Sequence, residues 1–346
     1  MKRRVGIMGG GSAGLQLAYS LKDEFEVTVF HHRSADQVRQ GRILSTQVHF
    51  GGTLERECRF HMPEWDSAPP IHHIHLTIGD QKLFVGKLVR MASSVDQRWA
   101  YARGMMDLAE KGVDFRLKRV YRDELESLAG EFDLLVDATG KSGPLAPFPV
   151  LEEWTPFQRP QRKCIVGYFK GVKLNEPPGV GVTVLPGVGE MFEIPALTER
   201  GPVDILFIEA VPDGVLDAFK GVKTTEAFTE RMENVTRRFF PEIHGRIAPG
   251  EFGLVDENAY LQVALTPAIR RPYLSVNGTP VIGCGDSVFL NDPITGQGSN
   301  VSSYCAEQLY ETLITYQVAE WDEQVGQTYW ERSQPFVRAV TEWTLP

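Results

Sequence analysis

The chain has 346 residues, 42% hydrophobic and 23% charged, with a formal net charge of −9. That length buries a large core in one or two domains, and the composition is that of an ordinary soluble globular protein. The negative balance argues against nucleic acid or an anionic membrane surface as main partner, and no apolar run reaches the roughly 20 residues of a spanning helix. The four cysteines (Cys58, Cys164, Cys284, Cys305) lie far apart without a C-x-x-C pair. They exclude a disulfide framework and a zinc ribbon and fit a reducing, cytoplasmic compartment. The opening MKRRVGIMGG is too short and too glycine-interrupted for a signal peptide, and reads as a buried strand.

Arg4–Met8 is that strand, and it runs into Gly9-Gly10-Gly11-Ser12-Ala13-Gly14, a G-x-G-x-x-G at Gly9, Gly11 and Gly14. A helical pattern (Leu15, Ala18, Tyr19, Leu21) and a second strand, Glu26–Phe30, complete the start of a βαβ unit. In such a unit the glycines serve a tight turn, close approach to a pyrophosphate and close helix–strand packing, which sets Ser12 and Ala13 beside the phosphates. An Asp or Glu ordinarily ends the second strand and holds the ribose; here the residues are His31-His32-Arg33. A basic residue there accommodates the 2′-phosphate of NADP, so Arg33 keeps NADP as the rival to FAD.

Gly41–His49 gathers Arg42, Ser45, Gln47 and His49 in one stretch, read equally as a surface loop or as a run beside the nucleotide. His61, His72, His73 and His75 lack Cys, Asp or Glu at ligand spacing. They read as polar positions leading into a hairpin of Ile74–Ile78 against Lys82–Val85, with no metal site expected. Val95–Glu110 is a helix with Arg98 near its start, Asp114–Val120 a strand and Asp123–Leu128 a short helix. The strand Phe132–Thr139 ends in Asp137-Ala138-Thr139-Gly140, which suits close backbone approach to a nucleotide as well as a plain turn. From Lys163 the pattern becomes β-rich (Lys163–Val172, Gly181–Leu185, Glu190–Pro195, Asp204–Val211), as in an inserted sheet. Thr225–Phe240 is a helix with a solvated charged face, and Glu251–Thr266 is extended. In Val281–Asn300 a strand reaches Gly285-Asp286, a loop carries Asp292-Pro293, and Gly296-Gln297-Gly298 opens a helix. Asp286 is placed to bind a ribose hydroxyl, and the helix start offers free N–H groups to an electron-rich flavin ring. Helices over Val301–Thr315 and Glu320–Thr341 follow, the second carrying aromatics that read as packing.

Three signals stand in order: G-x-G-x-x-G first, D-A-T-G midway, and G-D…D-P-x-x-G-Q-G near the end. Together they resemble the FAD-dependent monooxygenases of the para-hydroxybenzoate hydroxylase fold, over essentially the whole chain. Single-component hydroxylases of that fold carry an Asp-Gly motif serving FAD and NAD(P)H where this chain has Ala138-Thr139-Gly140-Lys141-Ser142-Gly143. In this the chain is similar to the oxygenase components of styrene and indole monooxygenases. Further similar segments are Phe132–Leu135, Pro156-Phe157, Pro160-Gln161-Arg162, Gly167–Gly171 and Gly189–Pro195. It departs from the styrene enzymes at Ser45, where they tend to have Asn, and at Gln47, where they have an apolar residue. The aromatics that family places near the histidine stretch are largely His and Ile here.

The resemblance implies an α/β fold: a Rossmann-like FAD-binding domain of glutathione reductase type (1–75, 96–162 and 268–346) with C-terminal helices, and an inserted β-sheet substrate domain (76–95 and 163–267). It implies FAD as cofactor, and a separate NAD(P)H-dependent flavin reductase that supplies FADH2. O2 would then give a C4a-hydroperoxyflavin that epoxidises or hydroxylates a small aromatic or alkene substrate of styrene or indole type. It involves neither nucleic acid nor membrane and admits a homodimer. In this reading Gly9, Gly11, Ser12, Ala13 and Gly14 hold the pyrophosphate, and Arg33, Arg42 and Arg98 contact phosphate or flavin. Thr139 and Gly140 run along the nucleotide, while Gly285 and Asp286 hold ribityl or ribose hydroxyls. Pro293 packs beside the ring, and Gly296, Gln297, Gly298 and Asn300 lie at its N1/O2 edge. Ser45, Gln47 and His49 line the reacting pocket, with His49 donating to the peroxide, and Phe192, Leu206 and Phe207 touch substrate. The rivals are a self-sufficient NAD(P)H-dependent hydroxylase using Arg33 or Arg162, an alkene reductase of the same fold, and a non-catalytic FAD-binding protein.

Overall fold

The computed structural model describes residues 2–344. Its first layer grows from β1 (Arg4–Met8), whose buried run Val5–Met8 lies between two parallel neighbours, as an apolar strand without alternation requires. In chain order follow α1 (Ser12–Leu21), β2 (Glu26–His31), α2 (Ala35–Arg39) and α3 (Gly51–Arg59). Next come β3 (Ile71–Ile78), β4 (Gln81–Ala92), α4 (Gln97–Glu110), β5 (Asp114–Leu117), α5 (Leu125–Ala129) and β6 (Leu134–Asp137). The middle of the chain holds β7 (Lys163–Lys170), β8 (Gly179–Leu185), β9 (Gly189–Thr198), β10 (Gly201–Ala210), α6 (Thr225–Phe239) and α7 (Pro241–His244). The last part holds β11 (Gly253–Leu254), β12 (Tyr260–Ala264), β13 (Ala268–Ile269), β14 (Tyr273–Val276), β15 (Thr279–Gly283), β16 (Phe289–Leu290), α8 (Gly298–Thr315) and α9 (Glu323–Thr344).

One sheet has the order β14-β15-β6-β1-β2-β5, parallel except for the β14–β15 hairpin. α1 and α8 pack against each other, and Leu15, Leu17, Val301 and Leu309 share one core with Val5, Ile7, Leu135 and Ile282. The C-terminal aromatics close this core: Trp330 stacks on Phe289 and meets Trp154.

A second sheet has eight strands, β11-β7-β10-β9-β8-β3-β4, with β12 also on β7, and β13 and β16 form a short two-stranded third. Strand alternation gives it two apolar faces. Val203, Ile205 and Phe207 of β10 face inward with Ile194, Val166, Ile43 and Val48, while Leu206 and Ile208 face outward against α6. α6 supplies Phe228, Met232 and Val235 at helical spacing, and Thr224 caps its start. Leu206, expected as a substrate contact, thus belongs to the outer core, because one register step separates it from Phe207.

The β3–β4 hairpin is longer than its pattern predicts. Ile71–His75, expected with the nucleotide domain, already pair in this sheet, parallel to β8 and antiparallel to β4. His75 is buried, with Nε2 2.8 Å from the Pro177 carbonyl oxygen, so a histidine fills a position where alternation leads one to seek an apolar side chain. β4 forms the sheet's edge and exposes Leu83, Phe84, Val85, Val89 and Met91 beside the basic residues Lys82, Lys87 and Arg90. Among the described residues no three His, Cys, Asp or Glu side chains cluster as metal ligands, and no helix is long and apolar enough to cross a membrane.

Candidate active site

The glycines after β1 answer to different constraints. Gly9 has φ +118°, and a Cβ there would strike the Ala138 carbonyl; a Cβ on Gly14 would strike the Gly9 carbonyl. Both therefore keep β1, β6 and α1 close together. Gly11 differs, since nothing lies within 4 Å of where its Cβ would be. Gly11 also starts α1 without a side-chain cap, and among the described residues the N–H groups of Ser12, Ala13 and Gly14 meet no acceptor. An open backbone at a helix start with free donors fits a pyrophosphate. The Ser12 hydroxyl is held by the Tyr101 hydroxyl at 2.6 Å.

Strand β15 brings the second motif against the first. Gly285 has φ +74°, and a Cβ there would come within 3.0 Å of the Ala13 Cβ and 2.9 Å of the Ser302 hydroxyl. The next residue, Asp286, has no hydrogen-bond donor on its carboxylate among the described residues. Burial pushes its carboxyl up to about 6, and the Lys141 ammonium draws it back down. Lys141 is partly buried, which lowers its own pKa against the pull of Asp286, and its Nζ donates to the Leu44 carbonyl at 2.6 Å. A half-buried carboxylate without a protein donor, beside open helix starts, fits the hydroxyls of a ribityl chain.

Asp292 caps a single 3-10 turn, Pro293–Thr295, by accepting from the Ile294 N–H at 3.1 Å, and Gly296 closes it in the left-handed region at φ +61°. α8 begins at Gly298 without a side-chain cap, so N–H groups of Gly298 and Ser299 stay free. The Gly298 Cα hydrogen side faces Asp286, whose Oδ1 would lie 3.7 Å from an added Cβ. The strand-to-loop motif, the 3-10 turn and the start of α8 thus lie along one path that begins at the glycine loop.

Other residues expected at the cofactor have different partners. Arg98 is buried between Asp96 (2.6 Å) and Asp256 (2.9 Å), and its remaining Nη1 contact is the Gly41 carbonyl at 3.3 Å. Its donors are spent on protein acceptors, and both carboxylates hold the guanidinium firmly charged. Arg42 lies over the Tyr260 ring, 4.4 Å from its centroid, with Nη2 3.4 Å from the hydroxyl. Arg33 differs from both, because its buried Nε has no acceptor at the end of β2. His31 beside it sits under Gly10, and burial holds both His31 and His32 below the usual histidine range, so this strand end offers neutral imidazoles. The Thr139 hydroxyl donates to Asp137 at 2.6 Å, and Asp137 also accepts from the Leu145 and Ala146 N–H groups. Asp137 and Thr139 therefore lock the turn at Gly140, whose φ is +67° and whose Cβ side is open. Asn300 spends its amide on the loop before α3: Nδ2 donates to the Val48 carbonyl at 3.0 Å, and Oδ1 accepts from the Phe50 N–H and the Thr53 hydroxyl.

That loop divides the expected pocket residues. Ser45 is exposed, and its carbonyl accepts from the Tyr168 hydroxyl of β7 at 3.4 Å. Gln47 and His49 look the other way, into a cavity of about 60 Å³ enclosed by α1, α3, α4 and α8. Gln47 Oε1 accepts from Gln97 Nε2 at 2.6 Å; His49 Nδ1 lies 2.6 Å from Glu57 Oε1, and its Nε2 is buried without a partner. Two functional candidates went unseen in the sequence. Lys141 follows the D-A-T-G turn directly, and its position there was the signal. Glu57 lies eight residues beyond His49 on α3, a pairing only the tertiary fold reveals.

A glycine-loop βαβ unit, a G-D strand end, a D-P turn opening a helix and a second, larger sheet give the chain the fold of the FAD-dependent monooxygenases of para-hydroxybenzoate hydroxylase type. The solved structures agree on that fold. PqsL of Pseudomonas aeruginosa, solved in complex with 2-aminobenzoylacetate, matches with a TM-score of 0.73 and 16% identity over 99% of this chain and 94% of its own. 2-Methyl-3-hydroxypyridine-5-carboxylic acid oxygenase matches with a TM-score of 0.73 and 13% identity over 99% and 90%. The sequence is more specific. Residues 140–246 match the family model described as "Styrene monooxygenase A putative substrate binding domain". Styrene monooxygenase StyA from Pseudomonas sp and from Pseudomonas fluorescens are each 33% identical over 353 residues, covering 99% of this chain and 85% of theirs. The chain belongs to the styrene monooxygenase family: it is the oxygenase component of a two-component flavoprotein monooxygenase, and its cofactor is FAD.

Proposed function

We propose that this oxygenase takes FADH2 from a separate NAD(P)H-dependent flavin reductase and transfers one oxygen atom of O2 to a small apolar aromatic or alkene, of styrene or indole type. Bound reduced FAD supplies the electrophilic oxygen; the protein binds, orients and excludes water. Gly9, Gly11, Ser12, Ala13 and Gly14 take the pyrophosphate, with Arg33 at the nucleotide end. Asp286 accepts from ribityl hydroxyls, Pro293 packs at the ring, and the free N–H groups from Gln297 onward stabilise its negative edge. Lys141 holds the loop at Leu44 and offsets the charge of Asp286. The observation that carries the substrate class is the inward face of the eight-stranded sheet, where Phe192 and Phe207 stack at 5.5 Å in a register row between Val182 and Val166. An aromatic guest fits that surface by area burial and offset stacking. Of the loop residues, Ser45 stands exposed while Gln47 and His49 turn into the cavity among the helices, and no acid–base pair is needed for oxygen transfer to an alkene.

The pairing of Arg162 with Glu190 and Asp292 supports the external-reductase reading over a self-sufficient hydroxylase at that arginine, while Arg33, the other arginine such a hydroxylase would use, keeps an unpaired Nε at the nucleotide end. The decisive experiment supplies chemically reduced FAD, O2 and a panel containing styrene and indole, with products read by mass spectrometry. One added oxygen is expected on at least one aromatic substrate. Rapid bleaching of bound FAD by NADPH without air, or loss of the alkene without oxygen gain, would overturn the proposal.

A further inference from the structure

Arg162 stands one residue before β7, where the chain enters the eight-stranded sheet. Its Nη1 donates to both oxygens of Asp292 at 3.2 Å, and its Nε donates to Glu190 Oε2 at 3.3 Å. The same Nε lies 3.6 Å from Glu209 Oε2. Glu190 and Glu209 are directly opposite one another on β9 and β10. Glu209 is wholly buried, and neither of its oxygens has a hydrogen-bond partner; Asp292 is 3% exposed. One guanidinium therefore serves three carboxylates, two of them almost wholly buried. Burial pushes both glutamates upward, Glu209 furthest, and Asp292 takes two of the guanidinium's three hydrogen bonds.

Asp292 has a second task, the cap on the Pro293–Thr295 turn that leads through Gly296 to the start of α8. The guanidinium thus joins two strands of the sheet to the turn that aims the helix N–H groups. We propose that Arg162 is a positioning residue that, through Asp292, fixes the Pro293–Gly296 turn so that the start of α8 favours reduced over oxidised FAD. This rests on the reading of that turn as the flavin site. The physical basis is asymmetric. Removing the guanidinium leaves Asp292 as a buried, uncompensated charge, which is relieved by moving toward water or taking a proton. Either change loosens the cap. The donors it aims matter most to the form of the ring carrying negative charge. A tether between sheet and turn with no positioning role would change stability but leave the two FAD affinities in the same ratio.

The test compares wild type, Arg162→Met, Arg162→Lys and Gly296→Ala. Affinity for oxidised FAD and, anaerobically, for dithionite-reduced FAD is measured by calorimetry, and the potential of bound FAD by dye equilibration. Arg162→Met is expected to lose about tenfold more affinity for reduced than for oxidised FAD, the scale of one charge-assisted hydrogen bond. For a two-electron couple that is a shift of about 30 mV to more negative potential. Arg162→Lys, which keeps the charge but not the fork, recovers part of the preference. Gly296→Ala strains the same turn directly and loses it too. If Arg162→Met weakens both forms equally, or neither, while Gly296→Ala changes the ratio, the proposal fails and the flavin-site reading stands. If no variant changes the ratio, both fail. Should Arg162→Met not fold, Arg162→Lys carries the comparison, and a wild-type ratio there overturns the proposal.

Discussion

Asp286 is held in an unusual state, half-buried without a protein donor, while desolvation pushes its carboxyl up to about 6 from the ordinary 3.8. Between those values the folded chain binds a proton that the unfolded chain releases. The contribution of this group to stability is thus present below the unfolded value and is lost as pH rises through the folded one. The ligand reverses the balance, because hydroxyls donating to the carboxylate favour its ionised form. Asp286→Asn is therefore expected to raise the melting temperature of the FAD-free protein more at pH 7 than at pH 4. It should also weaken FAD about tenfold, as the loss of a hydrogen bond to a charged group does. Equal melting shifts at both pH values, measured by calorimetry, would remove Asp286 from this role. Residues of this kind were legible beforehand because backbone geometry selects them. Gly9, Gly14 and Gly285 are glycines for steric reasons that leave a trace in sequence. The arginines were not legible. Whether Arg98 meets a phosphate or a pair of aspartates depends on Asp96 and Asp256, and Asp256 arrives from far along the chain.

At the scale of elements, the Arg98 clasp joins the start of α4 to the loop after β11, and its Gly41 contact reaches the run leading to Ser45. Truncating it leaves the buried Asp96 and the half-buried Asp256 facing each other without a cation. Arg98→Met should cost about 3 kcal/mol or more of stability in urea denaturation, the usual penalty for breaking a buried pair. FAD affinity of the folded fraction should stay within a few-fold of wild type. A large selective loss of FAD affinity with unchanged stability would instead return Arg98 to the phosphate. Element boundaries show why sequence pattern reached the middle of the hairpin but not its start. Ile71 pairs with Ala92, yet His72, His73 and His75 interrupt the apolar alternation that would announce a strand. β6 stops short of its apolar run for a different reason, because the Asp137 side chain takes the next N–H groups and turns the chain.

For the molecule as a whole, the proposed function assigns the two apolar faces of the eight-stranded sheet different tasks, the inward face to substrate and the outward face to packing against α6. Phe192→Ala should raise KM for an aromatic substrate about tenfold, by lost area and stacking, with FAD affinity unchanged. Leu206→Ala, on the outer face, should cost about 2–5 kcal/mol of stability and leave KM unchanged. Steady-state kinetics beside chemical denaturation checks both, and an interchange of the two effects would mean that the faces are assigned the wrong way round. Period-two alternation carried this information in sequence, but the direction each face points was fixed only when α6 was seen to cover one of them.

The outer strand of that sheet carries a hazard of its own. β4 offers unsatisfied backbone groups beside Leu83, Phe84, Val85 and Val89, the composition from which intermolecular strands nucleate. Lys82 and Lys87 interrupt it with like charges that repel a second copy at close range, so they act as gatekeepers of colloidal behaviour and not of chemistry. Replacing both by Thr should leave turnover and FAD affinity intact while bringing on concentration-dependent light scattering. If the doubly substituted protein stays monodisperse across the same range, the lysines have no such task.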